Sequence, residues 1–188
     1  MTQLANSPLR FVTSNADKLR EASEILARPV EGHPLDLEEI QSADLKTVVS
    51  HKVNQAFTLL RQPLFVEDTA LSFLAWGGLP GPFVKFFLNQ LHPEGLYKAL
   101  SPFENFEALA LCGVGYYDGQ KTHYFEGQIA GTIVSPRGDL GFGWDCLFVP
   151  KGETRTFAEM SAEEKHLYSM RALALQGLSD HLHGSESS

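Results

Sequence analysis

Apolar positions in this chain recur at two spacings, and the switches between them mark out its elements. "LRFVTS", residues 9–14, is a short strand candidate. "ADKLREASEILA" follows with Leu19, Ala22, Ile25 and Leu26 three and four residues apart, which predicts a helix that stops before Pro29. Leu35 to Ile40 reads as a second extended piece. "ADLKTVVSHKVNQAFTLL" repeats Leu45, Val48, Val49, Val53, Ala56 and Leu60 on one helical face. "PLFVED" is a buried strand ending in two carboxylates, and the loop "GGLPGPF" separates it from the amphipathic "VKFFLNQL" and a short "PEGLYKAL". The period then changes. Residues 106–134 hold two long extended runs around Asp118-Gly119, a strong hairpin signal. "GFGWDCLFVP" is a loop entering a strand, and "SAEEKHLYSMRALALQGL" is one helix opened by a Ser161–Glu164 capping box. Helices and strands alternate at both ends with antiparallel strands between them. This predicts a mixed α/β fold whose sheet is bent or split into two lobes around a central cleft.

A length of 188 residues fits one domain, placed at 1–184, with "SESS" (185–188) as a disordered tail. His181 and His183 are then frayed helix residues rather than ligands. The formal net charge is −8, so a nucleic-acid partner, which needs a basic patch, is not expected. Any phosphate must be held locally, by a metal ion or a few placed cations. Cys112 and Cys146 are too few and too distant for a disulfide framework or a zinc motif, which suits a reduced, cytoplasmic protein. "MTQLANSPLR" has no signal-peptide core, and no run is apolar and long enough to suggest a membrane span.

Several stretches could carry chemistry. A strand, then Thr13-Ser14-Asn15, then a helix presents free backbone N–H groups and a positive dipole end, with Lys18 one turn in. That arrangement holds an anion, or it is a plain helix cap made by Ser14 or Asn15. Glu67 and Asp68 beside a flexible loop suit a hard cation such as Mg²⁺, with Glu38 or Glu39 as a further ligand; all four are equally readable as solvated turn residues. Phe142 and Trp144, set among glycines with Asp145 beside them, can stack on a flat base or plug the core. Lys165 and Arg171 do not share a helical stripe, and a solvated face accounts for them.

Taken in order, these stretches resemble the HAM1-type inosine/xanthosine triphosphate pyrophosphatases. "TSNADKLRE" is similar to the family's opening T-x-N-x-x-K motif with its trailing acid. "VEDTALSFLAWGGLPGPFVKFF" is similar to its central acidic and glycine–proline block, and "GFGWD" and "TFAEMSAEEKHLYSMRALAL" to its later blocks. The resemblance implies the elongated α/β fold of that family, a homodimer, and Mg²⁺-dependent (alternatively Mn²⁺-dependent) hydrolysis of non-standard purine nucleoside triphosphates to monophosphate and pyrophosphate. It further implies that Thr13, Asn15, Lys18 and Lys52 hold the phosphates and that Glu39 and Asp68 hold the metal, with Asp68 and Lys18 serving the chemistry. Phe142, Trp144, Asp145, Lys165 and Arg171 would surround the base. A nucleotide-binding regulatory protein of weak activity, or a pyrophosphatase acting on other modified nucleotides, is the alternative. Met170 stands where the family usually has histidine and cannot donate a hydrogen bond, which predicts looser base recognition.

Overall fold

The computed structural model describes residues 8–186. Positions 1–7, part of the stretch read for a signal peptide, and Ser187 and Ser188 of the expected tail lie outside them. Among the described residues seven strands make one mixed sheet, which is continuous and not split. They are β1 (Leu9–Phe11), β2 (Val30–Gly32), β3 (Leu64–Phe73), β4 (Pro80–Gly81), β5 (Glu107–Tyr117), β6 (Thr122–Ile133) and β7 (Phe148–Pro150). The sheet runs β2-β1-β3-β5-β6-β7, with β4 paired to β3. β1 is parallel to β2 and β3; the remaining pairs are antiparallel. Five helices flank it: α1 (Ala16–Leu26), α2 (Leu45–Leu60), α3 (Val84–Leu100), α4 (Ala162–His166) and α5 (Met170–Glu186). No described helix is long and apolar enough to cross a membrane.

The pleat of β3 organises both cores. Leu64, Val66 and Ala70 join Val49, Val53 and Ala56 of α2 on one face. Phe65, Leu71 and Phe73 join Ala22 and Leu26 of α1 and Ala174, Leu175 and Leu178 of α5 on the other. Side chains alternate across a strand, so neighbouring residues serve different layers. β1 reaches β3 only at Phe11–Phe65, where the two rings stack at 4.4 Å. Beyond that point the chain leaves β1 to enter α1, and one edge of β3 is freed for a cleft.

Four sequence expectations need correction. β3 does not end at its carboxylates: it continues for five residues, because Thr69–Phe73 stay paired with Ala108–Cys112. Leu35–Ile40 is not a strand, since β2 lies upstream at Val30–Gly32 and takes the edge beside β1. Leu35 and Leu37 instead pack irregularly on the α2 side, and the Glu38 N–H donates to Gln55 Oε1 at 2.9 Å. The last helix is two helices broken at Leu167–Ser169, where the Leu167 and Tyr168 N–H groups make tight-turn bonds to Glu164 and Lys165. α5 also runs to Glu186, into the stretch read as a tail. By contrast, the hairpin at Asp118-Gly119, the Ser161–Glu164 capping box and the break before "PEGLYKAL", at His92, lie where expected.

Two close approaches set how the helices sit on the sheet. Gly115 of β5 lies under α2, where a Cβ would come 2.8 Å from Val49 Cγ1. Gly127 of β6 lies under the first turn of α5, where a Cβ would come 1.9 Å from the Met170 carbonyl oxygen. A side-chain methyl can rotate away; a helix backbone cannot without moving the helix. Gly127→Ala is therefore expected to cost roughly 3 kcal/mol or more. That corresponds to a fall in Tm of about 6–12 °C at this size. Gly115→Ala should cost less, and thermal unfolding of the two variants side by side checks the ranking.

Candidate active site

The end of β1 feeds a turn that is capped as well as open. Asn15 Oδ1 accepts from the Asp17 and Lys18 N–H groups at 2.9 and 3.0 Å, and Thr13 Oγ1 accepts from the Asn15 N–H at 3.1 Å. Asn15 thus caps α1, which satisfies two of the free N–H groups at that helix end. The turn still lines a polar cavity of about 540 Å³ with Lys18, Lys52, Glu39 and Asp68. A second cavity of about 450 Å³ adjoins it, lined by Phe142, Trp144, Phe83 and Phe86, and shares Asn15, Lys18, Glu39, Asp68 and Lys85 with the first. One cavity is polar, with lysines and carboxylates interleaved, the other is more apolar and carries four aromatic rings, and they meet at Lys18 and Asp68. The pair has the division of chemistry that a nucleotide requires.

Glu67 and Asp68 are adjacent in sequence and opposite in role, because the pleat sends them to different faces. Asp68 points toward α2, where its Oδ2 accepts from Lys52 Nζ at 2.8 Å; its Oδ1 takes the Thr69 N–H at 2.9 Å. Lys52 Nζ also lies 3.9 Å from Glu39 Oε1, and Lys85 Nζ 3.7 Å from the same oxygen. Glu39 and Asp68 therefore already converge on one cation. A Mg²⁺ ion fits this donor set, since it favours hard oxygen ligands and keeps several waters.

Glu67 points the other way and is not available for that cation. The Arg171 guanidinium grips it with two bonds, Nε to Oε2 at 2.8 Å and NH2 to Oε1 at 2.9 Å. Lys18 Nζ stands 3.3 Å from Glu67, and Arg171 NH1 bonds Glu21. Glu21 accepts from Lys165 Nζ at 2.8 Å, and Lys165 reaches Asp145 at 2.7 Å. Asp145 in turn takes the Phe142 N–H at 2.9 Å. Three acids and three bases thus form one chain across α1, β3, the 141–145 loop, α4 and α5. Lys165 and Arg171 are 3 % and 2 % exposed, so the solvated-face reading is corrected. The break between α4 and α5 brings the two together despite their helical phase. Phe142 lies over both cations, 4.9 Å from Lys165 Nζ and 5.4 Å from Arg171 Cζ. Trp144 is buried, packed edge-on to Phe148 at 5.7 Å, and still borders the aromatic cavity. Met170 is buried beside that cavity.

Burial raises the cost of each charge, and the partners oppose that cost. Burial alone would push the Glu67 carboxyl up, yet Arg171 and Lys18 outweigh it and hold it at about 2. Glu21 is likewise lowered, by Arg171 and Lys165 against burial. Asp145 moves the other way, because burial outweighs Lys165. Lys18 is raised, with Glu67 and Asp68 overcoming burial. Two members escaped identification from sequence. In the sequence Glu67 is indistinguishable from Asp68 as a cation ligand. Glu21, the trailing acid of "TSNADKLRE", carried no role, although its position three residues after Lys18 puts the two on one helix face.

The family model described as the Ham1 family matches residues 9–181. The inosine triphosphate pyrophosphatase of Schizosaccharomyces pombe is 44% identical over 176 residues, which cover 92% of this chain and 93% of the relative. That of Yarrowia lipolytica is 47% identical over 173 residues, 89% of this chain and 92% of the relative. Among solved structures, the Ham1 protein of Staphylococcus aureus superposes with a TM-score of 0.81 at 25% identity, over 95% of this chain and all of that one.

The buried chain makes stability depend on pH with a definite sign. The Glu67 carboxyl titrates near 4.5 when unfolded and about 2 when folded. Its contribution is therefore fully present above pH 4.5 and is lost as pH falls toward 2, on the order of 3 kcal/mol by linkage. Urea unfolding from pH 7 to 2.5 should show that loss. Glu67→Gln, which strands the Arg171 charge, should lose about 3–5 kcal/mol at pH 7 and show a shallower acid limb.

Proposed function

The chain belongs to the Ham1 family, and from that membership we propose that it hydrolyses non-standard purine nucleoside triphosphates (ITP, dITP and XTP) to monophosphate and pyrophosphate, keeping deaminated purines out of the nucleotide pool. The observation that carries this reading is the pair of adjoining cavities that share Lys18 and Asp68. A triphosphate laid along the polar cavity meets Thr13, Asn15, Lys18 and Lys52, while its base enters the aromatic one. Bound Mg²⁺, held by Glu39 and Asp68, would offset the charge of the phosphate oxygens. The α-phosphate is shielded by negative oxygens, so neutralisation and alignment of water count for more than covalent help. Lys18, itself neutralised on one side by Glu67, supplies a fixed cation there, and Asp68 orients the attacking water.

Base choice follows from donors left over in the buried chain. Arg171 commits three of its five N–H groups to Glu67 and Glu21, which leaves two for an acceptor. Hypoxanthine and xanthine carry an oxygen at position 6 and can accept; adenine carries an amino group and cannot. A buried unpaired donor costs about 1–3 kcal/mol, enough for one to two orders of magnitude in rate. Because Phe142 lies over Arg171 and Lys165, its ring must shift for the base to reach them, and the glycines on either side, both at positive φ, give that loop the freedom. Guanine shares the 6-oxygen, so its rejection must rest on its 2-amino group.

We further propose a homodimer, motivated by exposed Phe86 and Leu91 on α3, and a cytoplasmic location, motivated by two free cysteines. A monomer in light scattering at micromolar concentration, or absence from the cytosolic fraction, would remove the respective proposal.

Steady-state rates on ITP, dITP, XTP, GTP and ATP, with and without Mg²⁺, test the function. The expected result is pyrophosphate rather than orthophosphate, dependence on Mg²⁺, and a preference of at least about tenfold for ITP over ATP. Orthophosphate release, or no metal dependence, would refute it. Asp68→Asn should lower kcat by about 10² or more with little change in stability. Met170→His should sharpen the choice among bases, and equal discrimination by the wild type would show that Met170 does not loosen it.

A further inference from the structure

We propose that Asp118, His123 and His181 form a binding site for a borderline divalent metal ion of the Zn²⁺ class, separate from the cleft. Asp118 closes the β5–β6 hairpin, His123 is the second residue of β6, and His181 lies near the end of α5. One ligand atom from each of the three lies within 4.8 Å of the others. None of them lines either cavity of the cleft. His181 sits ten residues beyond Arg171 on α5, about 15 Å along the helix axis.

The donors are already ordered. Asp118 Oδ2 lies 2.7 Å from His123 Nε2. Its other oxygen is held by the Gln120 and Lys121 N–H groups at 2.7 and 2.9 Å, the kind of outer support that fixes a metal-bound carboxylate. The His123 and His181 rings are 4.0 Å apart and tilted by 45°. Phe125 and Tyr116 wall the group, with centroids 5.6 and 6.1 Å from the His181 ring. Tetrahedral Zn²⁺ with ligands at about 2.0–2.2 Å sets its donor atoms roughly 3.3–3.5 Å apart. The Asp118–His123 pair, at 2.7 Å, must therefore open by roughly 0.7 Å, and the His181 ring nitrogen must close by at most about 1.4 Å, both within reach of side-chain rotation.

The donor types select the ion. Two imidazoles and one carboxylate favour Zn²⁺ and its transition-metal neighbours, whereas Mg²⁺ demands an octahedron of oxygens. Three protein ligands leave a position for water. A metal here ties the far end of α5 to the tip of the hairpin. The near end of the same helix carries Arg171, so the site secures the element on which the buried charges depend.

Equilibrium dialysis of the untagged full chain against Zn²⁺, with millimolar Mg²⁺ to saturate the cleft carboxylates, tests this. The wild type should bind one Zn²⁺ per chain and gain in Tm. His181→Ala and Asp118→Asn should each bind at least tenfold more weakly and lose the Zn²⁺-dependent gain. No Zn²⁺ binding by the wild type under these conditions overturns the proposal. So does wild-type affinity in both variants, which would place the ion elsewhere and leave the triad as an Asp–His pair with a stacked ring. Should His181→Ala fail to fold, Asp118→Asn, at the hairpin tip, decides alone by the same criterion.

Discussion

The structure depends on one buried chain of charges: Lys18, Glu67, Arg171, Glu21, Lys165 and Asp145. Each ion out of water costs several kcal/mol, and only its neighbours offset that cost. The chain balances three positive and three negative charges, and it balances only when α1, β3, the 141–145 loop, α4 and α5 are all in place. An apolar cluster would tolerate sliding of these elements. A bidentate Arg171–Glu67 pair, with its two bonds at 2.8 and 2.9 Å, does not. The arrangement therefore fixes the wall of the cleft more tightly than packing alone.

β3 joins that scaffold to the candidate chemistry. One residue, Glu67, is directed into the buried chain, and the next, Asp68, into the polar cavity beside Lys52. The only device is the two-residue period of a strand. Lys18 belongs to both sides, since it neighbours Glu67 and lines both cavities. In a protein of net charge −8, the polar cavity sets Lys18, Lys52 and Lys85 among Asp36, Glu39 and Asp68. The carboxylates most able to cancel Lys165 and Arg171 are sequestered with them. Lys18, Lys52 and Lys85 stay at the cavity, each beside a carboxylate, and charges more than a Debye length away are screened.

Much of this was legible in order along the chain. Helical spacing located α1 and α2, the Asp118-Gly119 turn located the long hairpin, and Pro93 marked the break in α3. These features are local: a period, a cap or a turn depends on residues a few positions apart. The ordered motifs likewise pointed to the family through residue types alone. What local pattern missed was also of one kind. Leu35–Ile40 alternates like a strand, but pairing requires a free neighbour, and β2 had already taken that edge. The last helix is continuous in periodicity, and its break shows only where Lys165 must turn inward to Glu21 and Asp145.

The sequence by itself thus determined most of the elements, the mixed α/β class, the acidic character and a candidate set of residues for phosphate, metal and base. Tertiary structure alone decided which charges pair. Glu21 and Glu67 look like any helix-surface and strand-end acids until α5 docks on Gly127 and delivers Arg171 between them. His181, read as frayed, meets His123 and Asp118 for the same reason. The partners of Glu21, Glu67 and His181 lie from 49 to 150 residues away along the chain. Coulomb energy depends on distance in space and on the water excluded around it, and neither is written in the spacing of residues along a chain.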